Sequence, residues 1–404
     1  MGRFIVIVLD SFGVGEMKDV SIVRPRDIGS NTALHIIEKK PDIKIPTLVS
    51  LGLMNAIGIE SSNLTFSPSA VYGTSNLEHI GADSFLGHQE IMGTRPKTPL
   101  NQPFNEKIDE VERHLLENGY KVRRFGDAGD PQILVVNECA TVGDNLETDL
   151  GQVYNVSACL DLMPFEEVKA LGRCVREVVQ VSRVITFGGK QIGLNNLLNA
   201  KKVKNGEFAG VDAPESGVYK HGYEVVHLGY GIDPNVQLPT IMDKAGMTIS
   251  LSGKFADIIQ TSTHRVFSGV DTEKLFQHFQ REIEEVKEGL LCLNVQETDL
   301  AGHSEDTMRY ADVLEISDRC IKQILPMLTR DDIMIIMADH GNDPTIGHSN
   351  HTREKVPLLI YKKDLKNVYI GERDTMADVA ATAAEYFNVS KPQYGTSFLS
   401  KLYS

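Results

Sequence analysis

The sequence predicts an α/β protein with a doubly wound core and an inserted domain of α+β type. Short apolar runs recur along the chain, and each is followed by an acidic residue. Segments with helical periodicity lie between some of these runs. The middle third of the chain lacks this alternation, so a second domain is expected there.

Three apolar runs are predicted to be buried strands of one parallel sheet. They cover residues 4–9, 290–295 and 333–337. Apolar character without alternation is typical of strands covered on both faces. Asp10 follows the first run directly, and Asp299 and Asp339 come shortly after the other two. Because ligands of open parallel sheets lie beyond the carboxyl ends of the strands, these acids predict a site at one sheet edge.

Helices are predicted from the spacing of apolar residues in residues 271–289, 307–328 and 376–387. In the first of these segments, Leu275, Phe279 and Ile283 recur every four residues. This spacing places them on one helical face, which is expected to pack against the sheet.

The inserted domain is predicted to span residues 98–234, leaving residues 1–97 and 235–404 as the catalytic core. Its short helix and strand patterns show no clear α/β order. Residues 201–223 are rich in Lys, Gly and Glu and are interpreted as a surface connection. We interpret the insertion as a cap domain for substrate recognition.

Charge and composition exclude several classes of function. The net charge of −14 argues against a nucleic-acid binder. No apolar run approaches the roughly 20 residues of a membrane span, and the N-terminal run is too short for a signal peptide. The five cysteines form no CxxC pair and indicate reduced thiols. We therefore expect a cytoplasmic protein. The negative charge is compatible with a small phosphorylated substrate, because a bound metal can supply local positive charge. The oligomeric state stays open.

A metal site is predicted in residues 335–361. Asp339 and His340 stand side by side just after a predicted strand, and His351 lies on the following loop. A carboxylate with imidazoles is a common ligand set for divalent metals. His348 is an alternative to His351 that spacing alone does not exclude.

A nucleophile is predicted at Ser84, at the start of a helix that runs through Met92. Serine is also a favoured N-cap, so capping alone is the competing interpretation. A hydroxyl at a helix N-terminus is placed to receive a phosphate, and a bound metal would activate it.

A second ligand pair is predicted in the segment ETDLAGHSED. Asp299 and His303 are four residues apart, so one helical turn would place them on the same face. Together with Asp339, His340 and His351 they complete a ligand set for two metals. Lys254 in the segment SGKFADII could pair with Asp257 as easily as contact a substrate.

These segments resemble those of the phosphopentomutases, members of the alkaline phosphatase-like metalloenzyme superfamily. The motifs that carry the resemblance are VLDSFGVG, GHQEIMGT, SGKFADI and ADHGNDPT with HTREKVP. The resemblance implies an alkaline-phosphatase-like core with an inserted cap, two divalent metals and a phosphorylated hydroxyl. It implies that one metal is held by Asp10, Asp339, His340 and Ser84, and the other by Asp299, His303 and His351. The metals are expected to be Mn2+, with Zn2+ or Mg2+ as alternatives, and Cys159, Lys254 and Arg353 are candidate substrate-binding residues.

Three departures from the family pattern predict a divergent branch. The nucleophile is Ser84 where the family has Thr. The family's acidic ligand lies five residues before the histidine, where this chain has Thr298; Asp299, four residues before, is the better ligand. Cap motifs that meet the sugar in the family are replaced here by Ser157-Ala158-Cys159 and Thr186-Phe187-Gly188.

A phosphomutase acting on ribose 1-phosphate, ribose 5-phosphate or a related phosphosugar is the first functional hypothesis. A metal-dependent phosphatase or phosphodiesterase is the second, because the same machinery hydrolyses a phosphoenzyme if water reaches it. A non-catalytic metal-binding protein is the third.

Overall fold

The computed structural model describes residues 1–61, 63–95, 97–127, 129–147 and 150–403. The chain divides into two compact units, residues 1–96 with 233–404 and residues 97–232.

In the part of the chain that the structure describes, the strands are β1 Arg3–Leu9, β2 Val71–Ser75, β3 Val122–Phe125, β4 Ile133–Val136, β5 Ala140–Asp144, β6 Val153–Cys159, β7 Arg183–Gly189, β8 Lys201–Lys204, β9 Phe208–Val211, β10 Glu224–Gly229, β11 Ile249–Ser252, β12 Val266–Phe267, β13 Gly289–Val295, β14 Ile333–Met337, β15 Val356–Tyr361 and β16 Val368–Arg373. The α-helices are α1 Val20–Val23, α2 Thr32–Lys39, α3 Pro46–Leu51, α4 Leu53–Ile57, α5 Ser84–Ile91, α6 Ile108–Glu117, α7 Phe165–Val178, α8 Leu194–Asn199, α9 Ala213–Ser216, α10 Leu238–Lys244, α11 Lys254–Ile258, α12 Thr272–Glu285, α13 Glu297–His303, α14 Thr307–Ile324 and α15 Ala377–Tyr386. Short 3-10 turns cover Pro25–Asp27, Phe104–Glu106, Pro234–Val236, Leu325–Met327 and Leu399–Leu402.

The first unit is built on one mixed sheet in the order β12-β11-β13-β1-β14-β15-β2-β16. The five strands from β12 to β14 are parallel, and β15 runs antiparallel to its two neighbours. Every residue of β1, β13 and β14 is buried, because the sheet is covered on both faces. The predicted α/β class and the three predicted strands are confirmed.

The predicted helices of this unit are also confirmed, with ends that differ by a few residues. Helix α12 buries Leu275, Phe276, Phe279 and Ile283 on one face. Helix α14 ends at Ile324 because Pro326 lies in the 3-10 turn that follows it.

The second unit has its own six-stranded sheet, in the order β10-β7-β6-β5-β4-β3. Strands β6 and β7 are parallel and are joined through α7, so this unit contains a βαβ element that periodicity did not reveal. The interpretation of residues 201–223 as a surface connection is wrong for its first half, which forms the β8–β9 hairpin. Asn205 and Gly206, both with positive φ, lie in the turn of this hairpin. An Asn-Gly pair predicts such a turn, but the overall composition of the segment does not show it.

Within the described residues, no helix combines the length and the apolar character that crossing a membrane requires.

Candidate metal centre

Four neighbouring parallel strands end at one edge of the first sheet, and each delivers a charged side chain there. Leu9 of β1 is level with Val295 of β13, and Val8 of β1 is level with Met337 of β14. The side chains that follow these strand ends are Asp10 after β1, Asp299 in α13, Asp339 after β14 and Lys254 at the start of α11. Strand register therefore assembles residues that are more than 300 positions apart in sequence.

Asp10 is fully buried, and its two oxygens have different surroundings. Oδ2 lies 2.6 Å from Lys254 Nζ and accepts a 2.8 Å hydrogen bond from Asn294 Nδ2. Oδ1 has no hydrogen-bond partner among the described residues. Burial, followed by the charge of Asp339, raises the pKa of Asp10 to about 6.

Asp339 links the residue after the first strand, Ser11, to Ser84. Its Oδ1 accepts a hydrogen bond from the Ser11 N–H at 2.9 Å, and its Oδ2 accepts one from the Ser84 hydroxyl at 2.7 Å. Ser11 adopts φ +64°, a backbone conformation unusual for a residue with a side chain. Such strain is concentrated at functional sites, and here it aims the Ser11 N–H at Asp339.

Ser84 is the first residue of α5, and the competing interpretation of Ser84 as the N-cap is wrong. The N-cap is Asp83, whose side chain accepts a hydrogen bond from the Leu86 N–H. The Ser84 hydroxyl is thus released from capping and also accepts a 2.8 Å hydrogen bond from Lys254 Nζ. Gly87 allows the helix to come close, since a Cβ there would lie 2.7 Å from the Asp339 carbonyl oxygen.

Three histidines direct the same ring nitrogen, Nε2, at the buried carboxylates, because Nδ1 is occupied by a backbone carbonyl in each. Nδ1 of His340, His303 and His351 lies 2.7–2.9 Å from the carbonyl oxygens of Gly341, Ser349 and Ala82, respectively. A carbonyl oxygen can only accept, so each Nδ1 carries a proton and Nε2 is the nitrogen that can offer a lone pair to a metal. This arrangement orients histidines that ligate metals.

The Nε2 atoms converge on the carboxylates. His340 Nε2 lies 3.2 Å from Asp339 Oδ2 and 3.8 Å from Asp10 Oδ1. His351 Nε2 lies 3.2 Å from Asp299 Oδ1 and 3.0 Å from His303 Nε2. Two groups of possible ligand atoms, each within 4.8 Å, result: Asp10 with Asp339 and His340, and Asp299 with His340 and His351.

The electrostatics of the cluster suit a bound cation. Three buried carboxylates face one ammonium, Lys254, so negative charge is in excess. Burial lowers the pKa of His340, but Asp339 outweighs burial and raises it to about 9. His340 Nε2, like Asp10 Oδ1, is buried without a hydrogen-bond partner in the described part of the chain. Buried polar atoms are seldom left unpaired, and a divalent ion would satisfy both. The residues present therefore fit divalent metals.

The structure also bears on the alternatives that spacing left open. Asp299 points its carboxylate at His351, whereas the Thr298 hydroxyl donates to the Val295 carbonyl. His348 lies 3.1 Å from Asp27 and makes no part of either ligand group. The geometry favours Asp299 and His351 as ligands.

Arg353 requires a different role from the substrate contact that the sequence suggested. It is 3% exposed, and it donates to both carboxylate oxygens of Asp19. It also donates to the carbonyl oxygens of Leu77, His79 and Gly81. Arg353 therefore fixes the loop that leads into Ser84 and has no donor left for a substrate.

Cys159 is likewise poorly suited to substrate binding. It is fully buried at the end of β6, in an apolar cluster of the second unit with Ile133, Leu197 and Ala209. Burial raises the pKa of its thiol to about 11. Phe187, on neighbouring β7, is also buried and stacks on Tyr219. Both residues are core positions here.

Two residues near the ligands escaped sequence reasoning. His88 Nε2 lies 2.9 Å from Asn294 Oδ1, and its Nδ1 lies 3.2 Å from Asp339 Oδ2. Asn294 in turn donates to Asp10. An amide inside the otherwise apolar strand β13 was the available signal, because a buried polar group needs a partner.

Known proteins resemble this chain along nearly its whole length. A family model described as the metalloenzyme superfamily matches residues 2–391. A phosphopentomutase of Caldanaerobacter subterraneus subsp. tengcongensis is 32% identical, with 99% of this chain and 98% of that protein covered. A phosphopentomutase of Acetivibrio thermocellus is 32% identical, with 100% of both chains covered. Among solved structures, a Leishmania mexicana phosphoglycerate mutase covers 98% of this chain and 97% of its own, at 11% identity and a TM-score of 0.47.

Proposed function

Because the chain belongs to the phosphopentomutase family of the metalloenzyme superfamily, we propose that it moves a phosphoryl group between two hydroxyls of a sugar phosphate through a phosphoserine at Ser84. One observation carries the proposal. The Ser84 hydroxyl lies at the start of α5, 2.8 Å from Lys254 and 2.7 Å from Asp339, which belongs to one of the two groups of possible metal ligands.

The proposed metal ligands are those of the two groups, with His303 added to the second. Asp10, Asp339, His340 and Ser84 would hold one divalent ion, and Asp299, His303 and His351 the other. Bound ions would lower the pKa of the Ser84 hydroxyl and stabilise charge on the transferring phosphoryl group. Oxygen-rich ligands with imidazoles suit Mn2+, with Zn2+ or Mg2+ as alternatives.

The chain's own residues prepare Ser84 for transfer. Asp339 accepts the Ser84 hydroxyl hydrogen bond, while the Lys254 ammonium donates to the same oxygen and stabilises it as it loses its proton. The backbone N–H groups of the first turn of α5 add partial positive charge at the position that a phosphate on Ser84 would occupy.

Phosphoryl transfer then runs in two balanced steps. A substrate hydroxyl forms a bond to phosphorus as the bond from phosphorus to Ser84 Oγ breaks, and the hydroxyl proton is taken up at the enzyme. The resulting bisphosphate reorients, and Ser84 Oγ forms a bond to the other phosphorus as the bond from that phosphorus to the substrate oxygen breaks. The substrate oxygen receives the proton back from the enzyme and becomes a hydroxyl. The enzyme ends phosphorylated, as it began.

The proposed substrate is a pentose phosphate, ribose 1-phosphate interconverting with ribose 5-phosphate, or a related phosphosugar. The two relatives named phosphopentomutase support this class, since they match along the whole chain. We also propose that residues 98–234 recognise the substrate and that the protein is cytoplasmic.

Intact mass measured on Ser84→Ala and Ser84→Thr tests the mechanism. After incubation with ribose 1-phosphate and Mn2+, the wild-type protein should carry one added phosphoryl group. Ser84→Ala should lose it together with mutase activity, and Ser84→Thr should keep both because a hydroxyl remains. Phosphorylation that survives in Ser84→Ala would remove Ser84 from the mechanism.

Product analysis tests the reaction class. Phosphosugars incubated with the enzyme should yield isomerised phosphosugar, with ribose 1-phosphate and ribose 5-phosphate included among them. Release of free phosphate as the main product would replace the mutase with a phosphatase.

A further inference from the structure

We propose that the second unit contains a separate transition-metal site, formed by His114, Cys174 and Glu177, which takes a thiolate-binding ion such as Zn2+. None of these residues belongs to the first unit or to the proposed phosphoryl-transfer machinery. We name it the α6–α7 site.

The three side chains are brought together by two packed helices. Cys174 and Glu177 lie three residues apart on α7, so they share one face of that helix. His114 lies on α6, with its Nε2 2.9 Å from Glu177 Oε2. One ligand atom of each residue lies within 4.8 Å of the other two.

Cys174 is the observation that separates this group from an ordinary surface ion pair. The residue is only 8% exposed, yet its sulfur faces a histidine and a carboxylate. Its thiol is in no disulfide, and among the described residues it makes no hydrogen bond. A neutral thiol is sufficient for packing, but it does not use the imidazole and the carboxylate beside it. A metal ion would displace the thiol proton to solvent and use all three groups.

The chemistry of the ligands selects the ion. One sulfur, one imidazole nitrogen and one carboxylate oxygen, with water in the fourth position, match a tetrahedral Zn2+ site. In such a site the nitrogen and oxygen are separated by about 3.4 Å, as bond lengths of roughly 2.1 Å require. The observed 2.9 Å must open slightly, and Glu177 can supply this movement because its side chain is 64% exposed. Thiolate disfavours Mg2+ and Mn2+, so the α6–α7 site and the metal sites proposed in the first unit should prefer different ions.

Cobalt spectroscopy on the full-length protein tests the α6–α7 site without interference. The ligands proposed in the first unit are oxygens and nitrogens, so a thiolate-to-cobalt charge-transfer band can report only on a cysteine site. Titration with Co2+ should produce this band, and its intensity at saturation should correspond to one thiolate-bound Co2+ per chain, whatever amount of Co2+ the first unit also binds. Zn2+ should then abolish the band by displacing Co2+.

Variants assign the band to its residues. Cys174→Ser should abolish it, whereas Cys139→Ser, at another buried cysteine of the same unit, should keep it. Glu177→Gln changes an exposed side chain, so it should fold normally and require about tenfold or more Co2+ for the same band. Wild-type protein without the band, a band that survives in Cys174→Ser, or unchanged affinity in Glu177→Gln would overturn the proposal.

Discussion

Asp10 in the first unit and Asp144 in the second are both fully buried at the end of a strand, but they have opposite surroundings. Asp144 accepts backbone N–H hydrogen bonds on both oxygens, from Phe104 and Ala209, each at 2.9 Å. Asp10 has one oxygen without a hydrogen-bond partner among the described residues, and it faces other charged side chains. Burial raises the pKa of both, to about 6 for Asp10 and about 7 for Asp144.

This difference separates a proposed metal ligand from a structural carboxylate. A buried strand end and a raised pKa are common to both residues, so neither property distinguishes them. Partners do distinguish them, because backbone donors make Asp144 a structural link between segments. The unpaired oxygen of Asp10 is available to a ligand that the protein itself does not supply.

The same substitution at both positions should give the largest contrast. Asp10→Asn removes a negative charge from the proposed metal ligands, so the protein should retain fewer than two divalent ions. Activity should fall by about 10²–10³-fold or more, since the bound ions stabilise transition-state charge. Metal analysis and the mutase assay measure the two effects.

Asp144→Asn is the matched control for this contrast. It should keep both the metal content and the activity of the wild-type first unit. Full metal occupancy in Asp10→Asn would show that Asp10 is not a ligand and that its unpaired oxygen has another explanation.

The sequence predicted the first unit far better than the second. The strands of its sheet are continuous apolar runs, and parallel register brings whatever follows each run to one edge. The sequence alone therefore predicted that Asp10, Asp339 and His340 lie at the same edge of the sheet. The second unit combines short strands with hairpins and one βαβ element. Each segment is too short for its hydrophobic periodicity to predict a strand or a helix.

Contacts that depend on side-chain direction could not be predicted. Arg353 stands in a motif shared with a metal-dependent family, but its donors are consumed by Asp19 and a loop. Cys159 occupies a motif position that suggested a substrate contact, but its side chain turns into an apolar cluster. Sequence shows which residue types are present, whereas packing decides what each one faces.

His88 should have the next largest effect, because it supports two proposed metal ligands, Asp10 and Asp339, without being one itself. His88→Ala removes the support of Asn294, which holds Asp10, and a contact with Asp339. Loss of such support typically weakens metal binding by about 10–100-fold. Chelator competition should show this loss, whereas His278→Ala, which removes a ring stacked on Phe267, should leave metal affinity unchanged. Equal affinities in the two variants would make His88 a packing residue only.

Arg353 should affect stability and turnover through the loop before Ser84. Arg353→Ala leaves three carbonyl oxygens and Asp19 without their donor, which should cost about 2–4 kcal/mol of unfolding free energy. Arg353→Lys keeps the charge but not the forked geometry, so it should restore less than half of this loss. Denaturant unfolding measures both, with Arg265→Ala as an exposed ion-pair control that should cost less than about 1 kcal/mol. An unchanged kcat in Arg353→Ala would show that this loop does not affect catalysis.

Asp144 should affect stability alone, with a defined pH dependence. Burial raises the pKa of Asp144 from 3.8 to about 7 in the folded protein, despite its two backbone hydrogen bonds. The folded state therefore binds this proton more tightly than the unfolded state, so the contribution to stability is fully present below about pH 4 and is lost as pH rises through 7. At about 1.4 kcal/mol per pKa unit, the loss is at most roughly 4 kcal/mol. Calorimetry between pH 5 and pH 8 should show the second unit of the wild-type protein losing stability, and Asp144→Asn, which cannot ionise, losing less. Asp130→Asn, a control at an exposed carboxylate, should follow the wild-type profile. If Asp144→Asn lost stability with pH as steeply as the wild-type protein, the backbone donors would be keeping Asp144 ionised in the folded protein.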